Sequence, residues 1–197
     1  GESRWIFCQF GDTTIATDLA DAMQSSSSGA FAAVSTAPRA KIVVSASNNF
    51  VVAFNTNEGT YGASPDRWWC SAQSNQNDWV PNVATGANTG RLVAIEGAIQ
   101  AAQTLGDYVV AYKQRAIFLG RYVGGSVVWQ WNLIPGGEAG AVGLEAVCDI
   151  GGAHFIVGND NFWIFDGTRP VPLGTGINRQ WFLDNSSPTY RYKTKAT

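Results

Sequence analysis

The sequence has few charged residues and few of the side chains that build catalytic and metal centres. Only 14% of its 197 residues are charged, and it contains one histidine, His154, and one methionine. Metal sites built on several histidines are therefore excluded, and any Ser-His-Asp or Cys-His mechanism would have to use His154. The net charge of -2 and the scattered basic residues argue against an extended nucleic-acid surface, although a few arginines can still line a small ring.

Cysteines and long apolar runs are also scarce. Cys8, Cys70 and Cys148 are far apart and form no CxxC pair, which favours free thiols in a reducing compartment over a disulfide or a metal site. No apolar run approaches the ~18 residues of a membrane span, and no secretion signal stands at the N-terminus. These features predict a soluble chain made in the cytosol. The sequence starts in a strand-like segment and stops without a pattern that ends a domain, which indicates a fragment of a longer polypeptide.

Glycine and aromatic residues, by contrast, are abundant. The chain has 22 Gly, 8 Trp, 6 Tyr and 10 Phe, a composition typical of an all-β protein rich in turns. The clearest local signal lies at residues 151–167, where two short apolar strands flank a Gly-Asn-Asp-Asn turn. This segment predicts a β-hairpin with strands at His154–Val157 and Phe162–Phe165.

The opening half of this hairpin recurs along the chain. A strand, a tight turn and a second strand repeat around Gly11, Asn48, Gly106 and Gly151, at intervals of roughly 40 to 50 residues, the size of a four-stranded propeller blade. We predict an all-β, β-propeller-like fold with about four blade-type repeats over residues 1–184, forming part of a larger chain. Residues 185–197 would be a tail or the start of a further segment. An irregular β-sandwich remains the alternative.

Several segments fit the repeat less well. Ser25–Ser28 is typical of an exposed loop, and residues 55–90 indicate either a decorated loop or a blade with degenerate outer strands. Residues 91–104 have helical propensity, yet the repeat requires part of them to be an inner strand. Residues 113–115 predict a polar turn, and residues 177–184 fit a helix or a strand.

The candidate sites in the sequence have simple structural explanations. His154 stands inside a predicted strand and no GxSxG motif is present, so we expect a structural histidine. Asn159, Asp160 and Asn161 lack the spacing of a calcium loop and indicate an Asx turn. Trp129 and Trp131 alternate as core residues do. We therefore assign no catalytic, cofactor-binding or metal-binding residue, no cofactor and no enzymatic activity.

Several segments of the sequence together resemble a family of tailed-bacteriophage virion proteins. Members of this family are tail nozzle, tail hub or packaged-DNA stabilisation components. The resemblance extends from about Trp5 to Leu183 and rests on structural rather than catalytic motifs. Its segments are FGDTTIAT (residues 10–17), FVVAFN (50–55), WCS (69–71) followed by NDW (77–79), RAIFLGRYV (115–123), WQW (129–131) and residues 158–167.

The resemblance implies a structural protein of the virion tail, assembled in the bacterial host cytoplasm. It implies propeller-like domains that self-associate into a ring around the DNA exit channel, contact other tail or portal and adaptor proteins, and let DNA pass without sequence specificity. The Ser25–Ser28 tract and residues 91–104 depart from the family pattern. The alternative function is a carbohydrate-binding or glycan-cleaving β-propeller that would use exposed tryptophans and a pair of carboxylates. The tryptophans that could stack on a sugar are Trp68, Trp69, Trp79, Trp129 and Trp131.

Overall fold

The computed structural model describes residues 4–136, 138–173 and 176–197 and is almost entirely β-structure. Sixteen strands are followed by one α-helix, α1 (Ile177–Asn185), and by a 3-10 turn at Arg191–Lys193 within the described residues. The strands are β1 (Ile6–Phe10), β2 (Thr13–Thr17), β3 (Gln24–Ser26), β4 (Ala32–Ala33), β5 (Arg39–Ala46), β6 (Phe50–Glu58), β7 (Gly62–Cys70), β8 (Asn88–Arg91), β9 (Ile99–Leu105), β10 (Tyr108–Lys113), β11 (Ala116–Gly124), β12 (Val128–Leu133), β13 (Val147–Asp149), β14 (His154–Val157), β15 (Phe162–Phe165) and β16 (Pro170–Pro172).

The strands form four antiparallel sheets of four, each made from consecutive strands in chain order. Sheet 1 contains β1 to β4, sheet 2 β5 to β8, sheet 3 β9 to β12 and sheet 4 β13 to β16. The first hairpins of sheets 1 and 3 close through two-residue turns, in which Gly11 and Gly106 take φ values of 55° and 57°. A residue with a side chain is disfavoured there, which explains why glycine begins both turns.

Three hydrophobic cores lie between successive sheets. Ile15 and Met23 pack with Val43 and Trp69 between sheets 1 and 2. The largest core, between sheets 2 and 3, is aromatic and includes Phe50, Phe54, Trp68, Trp129 and Trp131. Between sheets 3 and 4 the core includes Val110, Tyr112, Ile117, Ile156 and Phe165. Sheets 2 and 3 have apolar side chains on both faces. Both faces are buried because a neighbouring sheet packs against each of them.

The first strands of consecutive sheets contact each other, β1 with β5, β5 with β9 and β9 with β13. A cavity of about 370 Å³ lies beside them and receives residues from, or just before, all four first strands. Its lining is Arg4, Lys41, Gln100, Gly143, Leu144, Glu145, Tyr192 and Lys193. We call this space the first-strand cavity.

The C-terminal segment, residues 176–197, packs on sheet 4. The ring of Phe182 in α1 lies 5.2 Å from that of Phe162, between centroids, and Phe162 in turn stacks on Phe155. Arg191 Nη1 donates to the carbonyl oxygen of Asn159 at 2.7 Å, and the amide of Ala196 donates to the carbonyl oxygen of Glu145. This segment therefore covers the face of sheet 4 that points away from sheet 3.

The prediction of an all-β chain is confirmed, and so are both strands of the hairpin at His154–Val157 and Phe162–Phe165. The helical interpretation of residues 91–104 is wrong, because Ile99–Leu105 is the first strand of sheet 3 and its packing overrides helix propensity. The outer strands of sheet 2 are present, separated by an irregular connection over residues 71–87. Residues 177–184 belong to a helix.

Two loop predictions also need correction. Ser25 and Ser26 belong to β3, because their backbone pairs with β2 and β4 even though their side chains are polar. Lys113 ends β10 and is buried, so the polar turn there consists of Gln114 and Arg115 alone. The predicted domain at 1–184 includes residues 1–3, 137 and 174–175, which lie outside the described part of the chain.

Candidate functional site

The outer face of sheet 1, the one turned away from sheet 2, is apolar and uncovered. Along β1, Ile6, Cys8 and Phe10 pack toward sheet 2, so the alternate positions Trp5 and Phe7 point outward. Phe7 pairs with Ala16 and Ala16 with Gln24, which extends this face across β2 and β3. The relative exposures of Trp5, Phe7 and Phe31 are 39%, 59% and 46%.

A groove of about 280 Å³ runs along this outer face. Its lining consists of Trp5, Phe7, Ala16, Gln24 and Phe31. Three large aromatic side chains that are exposed in one groove form a contiguous apolar surface rather than the isolated exposed residues that every protein carries. We call it the sheet 1 groove.

The register shows that this face has a covered counterpart elsewhere in the molecule. Phe10 pairs with Thr13 across the first turn of sheet 1, and Leu105 pairs with Tyr108 across the first turn of sheet 3. Phe10 and Leu105 are therefore equivalent positions. Phe7 in β1 and Ala102 in β9, each three residues earlier, are equivalent as well. Ala102 packs into the core between sheets 2 and 3. The outer face of sheet 1 therefore matches the face by which sheet 3 packs on the sheet before it. Of the four faces in this position, one in each sheet, only that of sheet 1 has no sheet against it among the described residues.

A second exposed apolar surface belongs to the C-terminal segment. Ile177 and Trp181 of α1 have relative exposures of 86% and 64%, while Phe182 of the same helix turns toward sheet 4. The two uncovered surfaces thus belong to the first sheet of the series and to the segment that covers the last sheet. They are two different surfaces of one chain, as a head-to-tail contact requires.

His154 is a structural residue in this fold. Its Nε2 lies 2.9 Å from the carbonyl oxygen of Thr104, which can only accept, so Nε2 carries the hydrogen. Its Nδ1 then accepts from the hydroxyl of Tyr112 at 2.6 Å, and both side chains are fully buried. Burial lowers the pKa of His154, against the opposing effects of the Thr104 hydrogen bond and Asp149. The neutral ring joins sheet 3 to sheet 4 and has no access to a substrate.

The cysteines are free thiols in apolar surroundings. Cys70 is fully buried, while Cys8 and Cys148 are partly buried. Burial raises the pKa of Cys8 and of Cys70 to about 12 in each case, so both stay protonated and unreactive at neutral pH. Across the described ranges, no group of three histidine, cysteine, aspartate or glutamate residues is arranged to hold a metal ion.

The Asn159-Asp160-Asn161 turn uses its oxygen atoms within the protein. Asn161 Oδ1 accepts from the amide of Phe162 at 2.9 Å, and the carbonyl oxygens of Asn159 and Asp160 accept from Arg191 and Arg179. The segment bends between β14 and β15, but none of these bonds is the side-chain bond to the amide two residues on that defines an Asx turn, so the Asx turn predicted there is not confirmed.

The tryptophans proposed as a sugar platform lie inside the protein. Trp68, Trp69 and Trp129 are 5%, 6% and 2% exposed, and Trp79 is fully buried with its indole nitrogen donating to the carbonyl oxygen of Gln76. Trp68 and Trp129 contact the ring of Trp131, and Trp69 contacts the ring of Tyr61. Their low exposure and these contacts leave no open platform for a bound sugar. The interpretation of Trp129 as a core residue is confirmed, and Trp131 is partly buried and packs against the same core.

Sequence reasoning missed the role of Lys113. Its ammonium donates to the carbonyl oxygens of Leu92 and Ile95, at 2.6 and 2.5 Å, and so ties the loop before β9 to the end of β10. Burial lowers the pKa of Lys113, which Asp66 opposes. The turn at Gln114 and Arg115 could have indicated this role, because a two-residue turn makes residue 113 the last paired position of β10.

Comparison with known proteins adds no relative. No protein-family model matches the chain, and no curated protein sequence matches it. Within the described residues no helix is long and apolar enough to cross a membrane. Function must therefore be argued from the arrangement of the sheets and from their exposed surfaces.

Proposed function

We propose that this chain is a structural component of a bacteriophage tail, a nozzle- or hub-like protein that self-associates into a ring and forms part of the DNA exit channel. In this proposal the four sheets are blades of a propeller-like arrangement. Support for the blades comes from the four consecutive-strand sheets, from the contacts between successive first strands, and from the cavity lined by residues from, or just before, all four first strands. The phage-tail assignment rests on the resemblance of the segments quoted above.

The observation that carries the assembly proposal is the sheet 1 groove. Sheets 2, 3 and 4 each use the corresponding face to pack on the preceding sheet, so the described part of the chain leaves that face of sheet 1 without a cover. We assign this face to a second copy of the chain, whose C-terminal segment presents Ile177 and Trp181. Repetition of this head-to-tail contact closes into a ring when the rotation between copies permits it.

The charge of the chain is compatible with passage of DNA. With a net charge of -2 and only 13 lysine and arginine residues, the surface offers few phosphate contacts. Because each such contact raises affinity, a weakly charged lumen lets DNA slide without being held. The proposal includes no catalysis and no cofactor, and it places the protein in the virion tail, in contact with other tail or portal and adaptor proteins.

The assembly is tested by its mass in solution. Light scattering and electron microscopy of the chain should show a ring, and Phe7→Glu should reduce it to monomers, because a carboxylate in the sheet 1 groove opposes burial. Val83→Glu is the matched control, since Val83 is exposed to a similar extent but lies outside both apolar surfaces. A wild-type chain that stays monomeric at high concentration, or rings that survive Phe7→Glu, would contradict the assembly proposal.

The virion assignment needs its own measurement. Mass spectrometry of purified phage particles, from a culture that produces the protein, should detect the chain in stoichiometric amounts with other tail proteins. Its absence from the particles would contradict the virion proposal, even if the protein forms rings in solution. The carbohydrate-binding alternative has no specific observation in its favour, because the tryptophans it requires are buried.

A further inference from the structure

The first-strand cavity differs from the rest of the molecule in its charge. Arg4, Lys41 and Lys193 line it together with a single carboxylate, Glu145. The chain as a whole carries a net charge of -2, so this excess of cations is local. Glu145 pairs with Arg4, which leaves the lining with a positive charge near Lys41.

Lys41 is unusual because it is half-buried and its ammonium has no hydrogen-bond or ion-pair partner among the residues that the structure describes. Burial lowers the pKa of Lys41, and no neighbouring acid offsets this effect. A desolvated cation of this kind costs free energy unless an anion accompanies it. The other buried lysine, Lys113, has two carbonyl partners instead.

Neutral donors converge on the same space. Gln100 is the extra residue of a β-bulge in β9, since Ala101 pairs with Tyr112 and Ile99 with Lys113. A bulge redirects the side chain of its extra residue, and Gln100 lines the cavity with no side-chain hydrogen-bond partner among the described residues. Tyr192 also lines the cavity. Ammonium, amide and guanidinium groups around one cavity match the several acceptor oxygens of a phosphate.

We propose that the first-strand cavity is a binding site for a phosphate group, held by Lys41, Gln100 and Arg4. The volume of about 370 Å³ exceeds that of phosphate alone and lies at the lower end of the range for small-molecule sites. The ligand class is therefore a small phosphate monoester, with inorganic phosphate as its minimal form. This proposal does not depend on the ring assembly.

Isothermal titration with inorganic phosphate and with glycerol 3-phosphate tests the site. We expect both to bind, the ester more tightly, and Lys41→Met to weaken binding about tenfold or more because a charged hydrogen bond is lost. The matched control is Lys195→Met, which removes a lysine outside the lining. Gln100→Glu, which introduces a carboxylate at the bulge, should abolish binding. Circular dichroism verifies that each variant is folded.

Two further results would decide the ligand class. Sulfate should compete with phosphate, whereas acetate at the same concentration should not, because it has one charge and two oxygens. In a ¹³C NMR titration, phosphate should raise the pKa of Lys41. The proposal is overturned if neither phosphate binds, if Lys41→Met and Lys195→Met bind equally well, or if acetate binds as tightly as phosphate.

Discussion

Two faces that occupy the same position in their sheets differ in what covers them. The face of sheet 3 that contains Ala102 packs against sheet 2, where Phe50 lies 5.3 Å from Tyr122 and 5.9 Å from Trp129 between ring centroids. The face of sheet 1 that contains Phe7 has similar apolar character and no cover. The apolar pattern alone therefore does not tell a core from an assembly surface. The two can be separated by asking whether a substitution changes the stability of the fold or the association of the chain.

The largest effect is expected when a phenylalanine is truncated in each face. Phe50→Ala removes a fully buried ring and should lower the free energy of unfolding by about 3–5 kcal/mol. Phe7→Ala is the same chemical change at an exposed site and should alter it by no more than about 0.5 kcal/mol. Urea unfolding of both variants at low protein concentration makes the comparison. Equal losses would mean that the outer face of sheet 1 is already covered in solution.

Tight packing in the covered face should also make it intolerant of small additions. A Cβ at Gly120 would lie 2.5 Å from the ring of Trp131, so Gly120→Ala must displace that ring. We expect a loss of about 1–3 kcal/mol in urea unfolding. Gly59→Ala is the control, because a Cβ there meets no atom within 4 Å. If Gly120→Ala were as stable as Gly59→Ala, the packing of Trp131 would be looser than the structure indicates.

The packing of His154 between sheets 3 and 4 should make the free energy of unfolding depend on pH. The pKa of His154 is lowered in the folded state from its ordinary value of 6.5, chiefly by burial. Just below pH 6.5 the unfolded chain therefore binds more protons than the folded chain, and the free energy of unfolding should fall as the pH decreases through this window. Stability from this residue is fully present above pH 6.5.

His154 is the only histidine, so its ring signals in an NMR titration need no further assignment. Their midpoint should lie below 6.5, and His154→Gln should flatten the pH dependence of unfolding by removing the titration. A midpoint at or above 6.5 would show that the ring is accessible to water, and would contradict its position between the two sheets.

The sequence predicted most of the inner strands but little of what surrounds them. Turn glycines such as Gly106 and the alternating run that ends at Leu133 are local signals, so the hairpins could be located. The strand at Ile99–Leu105 was obscured because helix propensity is also local, whereas its strand conformation depends on packing against two neighbouring sheets.

The two candidate sites were not predictable for a related reason. The exposure of Phe7 depends on which sheet lies next to β1, and the first-strand cavity unites Arg4, Lys41 and Gln100 from three different sheets. Neither arrangement leaves a motif in the sequence. The structural role of His154, by contrast, was predictable because its flanking residues already indicated a strand.

The construction of every sheet from four consecutive strands has a consequence for how the protein forms. None of the four sheets contains a strand from a distant part of the chain. The loops that must close while each sheet folds are therefore short. As the polypeptide leaves the ribosome, sheet 2 can complete its pairing before β9 has been synthesised, and each new sheet then docks on a finished one. The segment at residues 176–197, whose Ala196 bonds back to Glu145, is synthesised after all four sheets.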